Sequence, residues 1–180
     1  MYFEIHTNRL NLRPLSIEDL DTVHAYAADI ENTRYMIHLP NDTIKETIEF
    51  LARITAEWQK EEPGFYEFAV TLDGELIGAV SLALNEQRTE GELGWIINKR
   101  YWGKGYATEA AMAVRDFSVN KLNVFILTAH CDYRNTASRK VMEKIGLTLV
   151  KDDGVRQYPN TTETARELVY SCNLPRCGQV

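Results

Sequence analysis

Apolar and polar residues alternate through Arg9-Leu-Asn-Leu-Arg-Pro-Leu15, the two-residue period of a half-buried strand, and Pro14 puts the end of that strand near an edge or exit. The period then lengthens. Ser16-Ile-Glu-Asp19 has the form of a capping box and opens a helix to about Ala28, and Thr43-Ile-Lys-Glu46 opens a second to about Lys60. The link between them, Asp29 to Asp42, is longer than most connections in a compact domain, and ordered links of that length are often functional. Phe65 to Leu72 and Glu75 to Asn85 flank Asp73-Gly74, a strong hairpin signal, so these two runs pair antiparallel. Glu92 to Asn98 extends the meander, and a helix from Gly105 to about Val119 follows it. Val124-Phe-Ile-Leu-Thr-Ala129 is continuously apolar, as suits a strand covered on both faces. Strand, helix and strand from Glu92 to Cys131 therefore form a βαβ unit with parallel strands. Ala137, Val141 and Ile145 mark a helix from Asn135 to Ile145, with Gly146 at its C′ position. Leu147 to Asp152 and Arg166 to Leu174 complete the set as strands. The pattern predicts an α/β class with a mixed sheet, and with no internal repeat or linker it predicts one domain over residues 1–180.

Composition narrows the class. The chain has 180 residues, 44% hydrophobic and 26% charged, enough to bury a core without disulfides or metal. A net charge of −6 argues against nucleic acid as the main partner and favours basic or amine-bearing ones. Cys131, Cys172 and Cys177 have no framework spacing, and the opening Met-Tyr-Phe-Glu-Ile-His lacks a secretory pattern, so the reading is cytoplasmic. No stretch nears the roughly 18–20 apolar residues of a membrane span. The sequon Asn160-Thr-Thr has no consequence without a secretory signal.

The junction Arg100-Tyr-Trp-Gly-Lys-Gly-Tyr-Ala-Thr-Glu-Ala110 sets two glycines one residue apart between a strand and a helix. Glycine permits positive φ and close approach, and a helix start leaves N–H groups without intrahelical partners, so the junction is a candidate anion cradle. Its spacing excludes a Walker loop, and Thr108 stands where a dinucleotide fingerprint needs a third glycine.

The chain resembles the GNAT acetyltransferases, and within them the RimJ and RimL branch of N-terminal acetyltransferases. The family's coenzyme A signature stands here as Arg100-Tyr-Trp-Gly103-Lys-Gly105, after an opening Thr7-Asn-Arg-Leu-Asn-Leu-Arg-Pro-Leu and before Asn135-Thr-Ala-Ser138-Arg-Lys-Val-Met-Glu-Lys-Ile-Gly146. The likeness covers roughly residues 7 to 174. It implies a sheet of about seven mostly antiparallel strands, with about four helices and a central parallel pair splayed to admit coenzyme A. It implies that the amides of Trp102, Gly103, Lys104, Gly105, Tyr106 and Ala107 bind the pyrophosphate of acetyl-CoA, with Arg100 and Lys104 adding charge. Main-chain groups of Trp95, Ile96 and Ile97 would pair with the pantetheine arm, and the N–H of Ile97 would face the developing oxyanion.

Direct attack of an amine on a thioester needs a base and an acid. The resemblance puts Glu92 at the strand-borne base, with Glu90 and Glu67 as alternatives. Val141, Met142 and Glu143 occupy the place of the family's usual acid tyrosine. Ser138, in the Asn-x-x-Ser form of the RimL branch, takes that role, and Asn135 caps its helix and contacts the coenzyme. The link Asp29 to Asp42 and the loop Asp152 to Ala165 would wall the acceptor site, with Tyr35, His38 and Tyr158 as substrate contacts and Met36, Asp152 and Asp153 beside them. His130 and Cys131 are neighbours on a strand and point to opposite faces, so they read as plain strand residues. No metal is implied. The acceptor is an amine, either a ribosomal or other protein's N-terminus or a small molecule such as a polyamine, amino acid or antibiotic. A non-catalytic acyl-CoA sensor is the reading from another class. The protein would be a monomer or homodimer, without nucleic acid or membrane partners.

Overall fold

The computed structural model describes residues 3–38, 40–158 and 162–175, so the Asn160 sequon and Cys177 lie outside the described residues. One sheet organises them, with strands in the order β1-β2-β3-β4-β5-β6-β8-β7: β1 Ile5–His6, β2 Asn11–Pro14, β3 Phe65–Leu72, β4 Glu75–Leu84, β5 Glu90–Ile97, β6 Ile126–Asp132, β7 Thr148–Gln157 and β8 Thr164–Asn173. Among the described residues only β5 and β6 pair in parallel. Asp73 and Gly74 join β3 to β4 with φ of 51° and 85°, the paired positive values of a type I′ turn.

The helices are α1 Leu20–Ala27, α2 Ile30–Thr33, α3 Ile44–Trp58, α4 Tyr106–Leu122 and α5 Thr136–Lys144. The expected helix at Ser16 begins as a 3-10 turn over Ile17–Asp19, because the Asp19 carboxylate is drawn both to the Ser16 N–H and into a 2.6 Å pair with Arg13. Thr43 and Glu46 close a complete capping box on α3, and Gly146 ends α5's turn at φ 89°. The long link holds the short α2, capped by Asp29.

Alternation along β3 sorts the core. Tyr66 and Phe68 face α4, where Phe117 meets both rings edge-on at 5.7 and 5.4 Å, and Trp58 of α3 meets the same pair at 5.3 and 5.1 Å. Glu67 and Ala69 point to the opposite face, toward Tyr26 of α1.

The sequence ends its penultimate strand at Asp152 and reads 152–165 as a loop, and there the structure corrects it. β7 runs on through Asp152 and Asp153 to Gln157, as an exposed edge strand whose register shifts between Leu149 and Lys151 and again between Lys151 and Gly154. Bulges of this kind let an edge carry charged, turn-like residues. Among the described residues no helix is long and apolar enough to cross a membrane.

Candidate active site

The parallel pair parts after three residues. β5 and β6 are registered at Glu90–Ile126, Gly91–Leu127 and Glu92–Thr128; beyond that β5 stays with β4 as far as Ile97, and β6 stays with β8 as far as Asp132. A fork opens between residues 93–97 and 129–132.

The β5 limb of the fork offers main chain. Glu90 accepts from Asn85 and Asn98 donates to Ile77, so even-numbered residues bond toward β4. Thr89 accepts from Phe125 and Gly91 from the Thr128 hydroxyl, so odd-numbered ones face β6. Alternation carries this to the tip, where the N–H groups of Leu93, Trp95 and Ile97 look into the fork while Ile96 turns its main chain to β4. The Trp102 indole N–H donates to the Ile97 carbonyl at 2.6 Å.

At the tip Asn98 caps a 3-10 turn over Lys99–Tyr101, its side-chain oxygen accepting from Arg100. The chain then passes through Gly103 and Gly105 at φ 76° and 81°, a region that penalises any Cβ, and α4 begins at Tyr106. No atom outside the adjacent residues comes within 4 Å of where a Gly103 Cβ would lie, so the mouth of the turn is open. Seventeen residues of aligned dipole in α4 end there, with first-turn N–H groups lacking intrahelical partners.

Arg9 fixes this turn from outside. Its Nη1 donates to the Lys104 carbonyl at 3.0 Å, its Nε and Nη2 reach Glu109 at 2.6 Å, and its guanidinium lies 4.6 Å from the centre of the Tyr106 ring. Burial pushes the Glu109 carboxyl up, but hydrogen bonds from Thr7 and Arg9 outweigh it and hold the group below the usual carboxylate range. Arg100 and Lys104 are exposed at the rim. Left-handed glycines, an open mouth and converging amides fit the pyrophosphate of coenzyme A. Beside the fork, Asn135 caps α5 by accepting the Ser138 N–H at 3.1 Å, which leaves Ser138 half-buried on the first turn.

The other limb offers side chains. A cleft of about 740 Å³ lies between the 29–42 link, the end of β6 and the turn after β7, and Tyr35, His38 and Tyr158 all line it. Behind them sits a cluster that sequence reasoning missed. Asp132 is fully buried; its carboxylate accepts the Tyr158 hydroxyl at 2.6 Å and the Arg134 guanidinium at 2.7 Å, and Arg134 reaches on to Glu163 at 2.9 Å. Burial pushes the Asp132 carboxyl up, but these donors prevail and hold it low, while burial and that same carboxylate push the Tyr158 hydroxyl up to about 12. The available signal was an acid closing an apolar strand two residues before an arginine.

Glu92 is exposed where the strands part, on the sheet face that carries Ser81, Gly94 and Glu67. Glu67 is 8% exposed, and burial pushes its carboxyl up to about 8. Among the described residues no cluster of three or more His, Cys, Asp or Glu side chains could hold a metal ion.

A family model described as an acetyltransferase (GNAT) domain matches residues 9–148. The chain belongs to the GNAT acetyltransferases. This acetyltransferase is 27% identical over 155 residues to the N-acetyltransferase p20 of Bacillus licheniformis, covering 86% of each chain. It is 29% identical over 141 residues to the spermidine N(1)-acetyltransferase of Escherichia coli K12, covering 78% of this chain and 73% of the relative. A GNAT-family acetyltransferase from Bacillus anthracis superposes with a TM-score of 0.79 at 28% identity, over 95% of this chain and 98% of that one. RimL, the ribosomal L7/L12 alpha-N-protein acetyltransferase, solved with coenzyme A, superposes at 0.83 over 96% and 98% of the chains; at 16% identity that likeness shows the fold alone. The acetyltransferase is an acyltransferase that uses acetyl-CoA and passes the acetyl group to an amine.

Proposed function

We propose that the acceptor is the N-terminal amine of a protein or peptide, which attacks the thioester directly. The charge balance of the acceptor cleft carries this reading. Among the described residues three carboxylates line it, but Glu46 is committed to capping α3, accepting from the N–H groups of Asp42 and Thr43, and Glu163 pairs with Arg134. Asp42 remains, and Arg34 lines the same cleft. A polyamine brings several ammonium groups and calls for several uncommitted carboxylates, whereas a peptide terminus brings one ammonium followed by neutral amides. The spermidine-acetylating relative supports a second reading, a small polyamine acceptor.

On the proposed reading the amides of Gly103 to Ala107, with Arg100 and Lys104, hold the pyrophosphate; the Trp102 N–H, expected among them, already donates to the Lys99 carbonyl at 3.2 Å. The N–H groups of Trp95 and Ile97 pair with the pantetheine arm as an added strand would, and Ile97 faces the carbonyl oxygen that gains charge. Bound acetyl-CoA supplies the activated thioester. Glu92 meets the incoming ammonium at the fork and accepts its hydrogen bond. Ser138, on the positive end of α5, stabilises the departing sulfur or gives it a proton. The test is acceptor-dependent release of free thiol across N-terminal peptides, spermidine, amino acids and aminoglycosides. Release with peptides is the expected result; release with spermidine alone would hand the acceptor to the second reading, and release with none would overturn both.

A further inference from the structure

His130 has no part in the chemistry above, yet register sets it at the centre of the fork. Phe65, Ala83, Glu92 and Thr128 lie in one row across the sheet, and Glu67, Ser81 and Gly94 lie in the next row on the same face. His130, two residues past Thr128 on β6, keeps that face and stands across the opening from Gly94, one step beyond the point where the strands part. Gly94 carries no side chain, and the Ser81 hydroxyl of β4 packs against it, 2.6 Å from where a Cβ would lie. Cys131, pointing the other way, is buried in the core.

The ring is backed by a chain of charges that leads to the acceptor link. His130 Nδ1 lies 3.6 Å from Glu167 Oε2, within ion-pair reach, and Glu167 Oε1 accepts from Arg156 Nη1 at 2.8 Å. Arg156 Nη2 donates to the Tyr35 carbonyl at 3.2 Å. The Arg156 and Glu167 side chains are 9% and 19% exposed, and the imidazole retains 32%. Nδ1 is thus within ion-pair reach of Glu167, and about a third of the side chain stays exposed.

We propose that His130 is a further catalytic residue of this transferase and Glu167 its positioning residue: the neutral imidazole takes the proton that the acceptor ammonium must lose before it attacks. This rests on the transferase reading above, with Glu92 holding the ammonium. Nδ1 keeps its hydrogen toward Glu167 and Nε2 accepts the proton, so R–NH3+ becomes R–NH2 and the imidazolium is countered by Glu167. The amine lone pair then forms the C–N bond, the C–S bond breaks with its electron pair going to sulfur, and the second N–H proton of the former amine goes to solvent while the thiolate is protonated. A neutral imidazole is a general base of the right chemistry for this step. The charged and titratable groups facing the ring are Glu167 and Arg156 from β8 and β7, Asp132 with Arg134 and Tyr158 farther along, Glu92 and Glu90 across the fork, and Glu67 two strands beyond.

Two measurements test this. In pH profiles of kcat/KM, His130→Gln should lower turnover on the order of 100-fold, remove the acid limb, and leave the calorimetric Kd for acetyl-CoA unchanged. Glu167→Gln should move that limb to lower pH, because the imidazolium loses its counter-charge. A His130→Gln enzyme that keeps the wild-type rate and limb would overturn the proposal. Independently of any acceptor, the His130 ring resonance, assigned among the four histidines by substitution, should shift on adding acetyl-CoA. Binding without that shift would also overturn it. A wild-type protein that binds acetyl-CoA and shifts the His130 resonance, yet releases thiol with no acceptor, would defeat the transferase reading and with it the proton-transfer role.

Discussion

The two limbs of the fork present different kinds of group. The β5 limb and the turn that follows it work through main chain: alternate N–H groups of one strand, two left-handed glycines and the start of a helix, all within residues 93–107. The β6 limb works through side chains brought from far apart in sequence, with Tyr35, Asp132, Arg134, Arg156, Tyr158 and Glu167 converging from the link and three strands. A main-chain site tolerates most side chains but no error in backbone conformation. A side-chain site tolerates backbone adjustment but depends on each buried partner being satisfied.

This contrast can be broken from either side. The largest effect belongs to Gly105→Val, which puts a β-branched residue at φ 81° and should weaken acetyl-CoA binding about 100-fold by calorimetry while circular dichroism shows a retained fold. On the other limb Asp132→Ala removes the buried partner of Arg134 and Tyr158, and should cost about 3 kcal/mol in urea unfolding with little change in coenzyme affinity. Because the folded-state carboxyl is held low, that contribution is complete above the unfolded value near 4 and fades as the pH falls below it.

Glu67→Gln should act with the opposite sign. Its carboxyl rises from 4.5 to about 8 on folding, so the folded state keeps a proton that the unfolded chain has released, and stability falls as the pH climbs between those values. The amide should raise stability by up to about 4 kcal/mol at pH 8 and confer no gain below about pH 4, which thermal melts across pH would show. The smallest effect is that of Arg9→Met. The Arg9–Glu109 pair is partly exposed, so stability should change by less than about 1 kcal/mol, while acetyl-CoA affinity falls less than tenfold as the turn loosens.

The same contrast decides what was legible in the sequence. The hairpin at Asp73-Gly74, the capping boxes at Ser16 and Thr43 and the Gly103-Lys-Gly105 turn are local devices whose chemistry lies within a few residues. The splay itself was legible only through the family likeness, since nothing local in β5 or β6 says where their pairing ends. Tyr35, His38 and Tyr158 line one cleft, whereas Asp152 and Asp153, read as loop, lie in the bulged edge strand β7, because a bulged edge strand and a loop have the same polar composition. His130 read as a plain strand residue because its partner Glu167 is 37 positions away, and only the β6–β8 register puts them on one face.

The central claim is that the fork receives the coenzyme as an added strand on β5. Amide hydrogen exchange measured by NMR, with and without acetyl-CoA, tests it residue by residue. The account expects new protection at the N–H groups of Trp95 and Ile97 and from Gly103 to Ala107, with Ile96, already bonded toward β4, unchanged. Saturating acetyl-CoA that leaves Trp95 and Ile97 exchanging as in the free protein would contradict it.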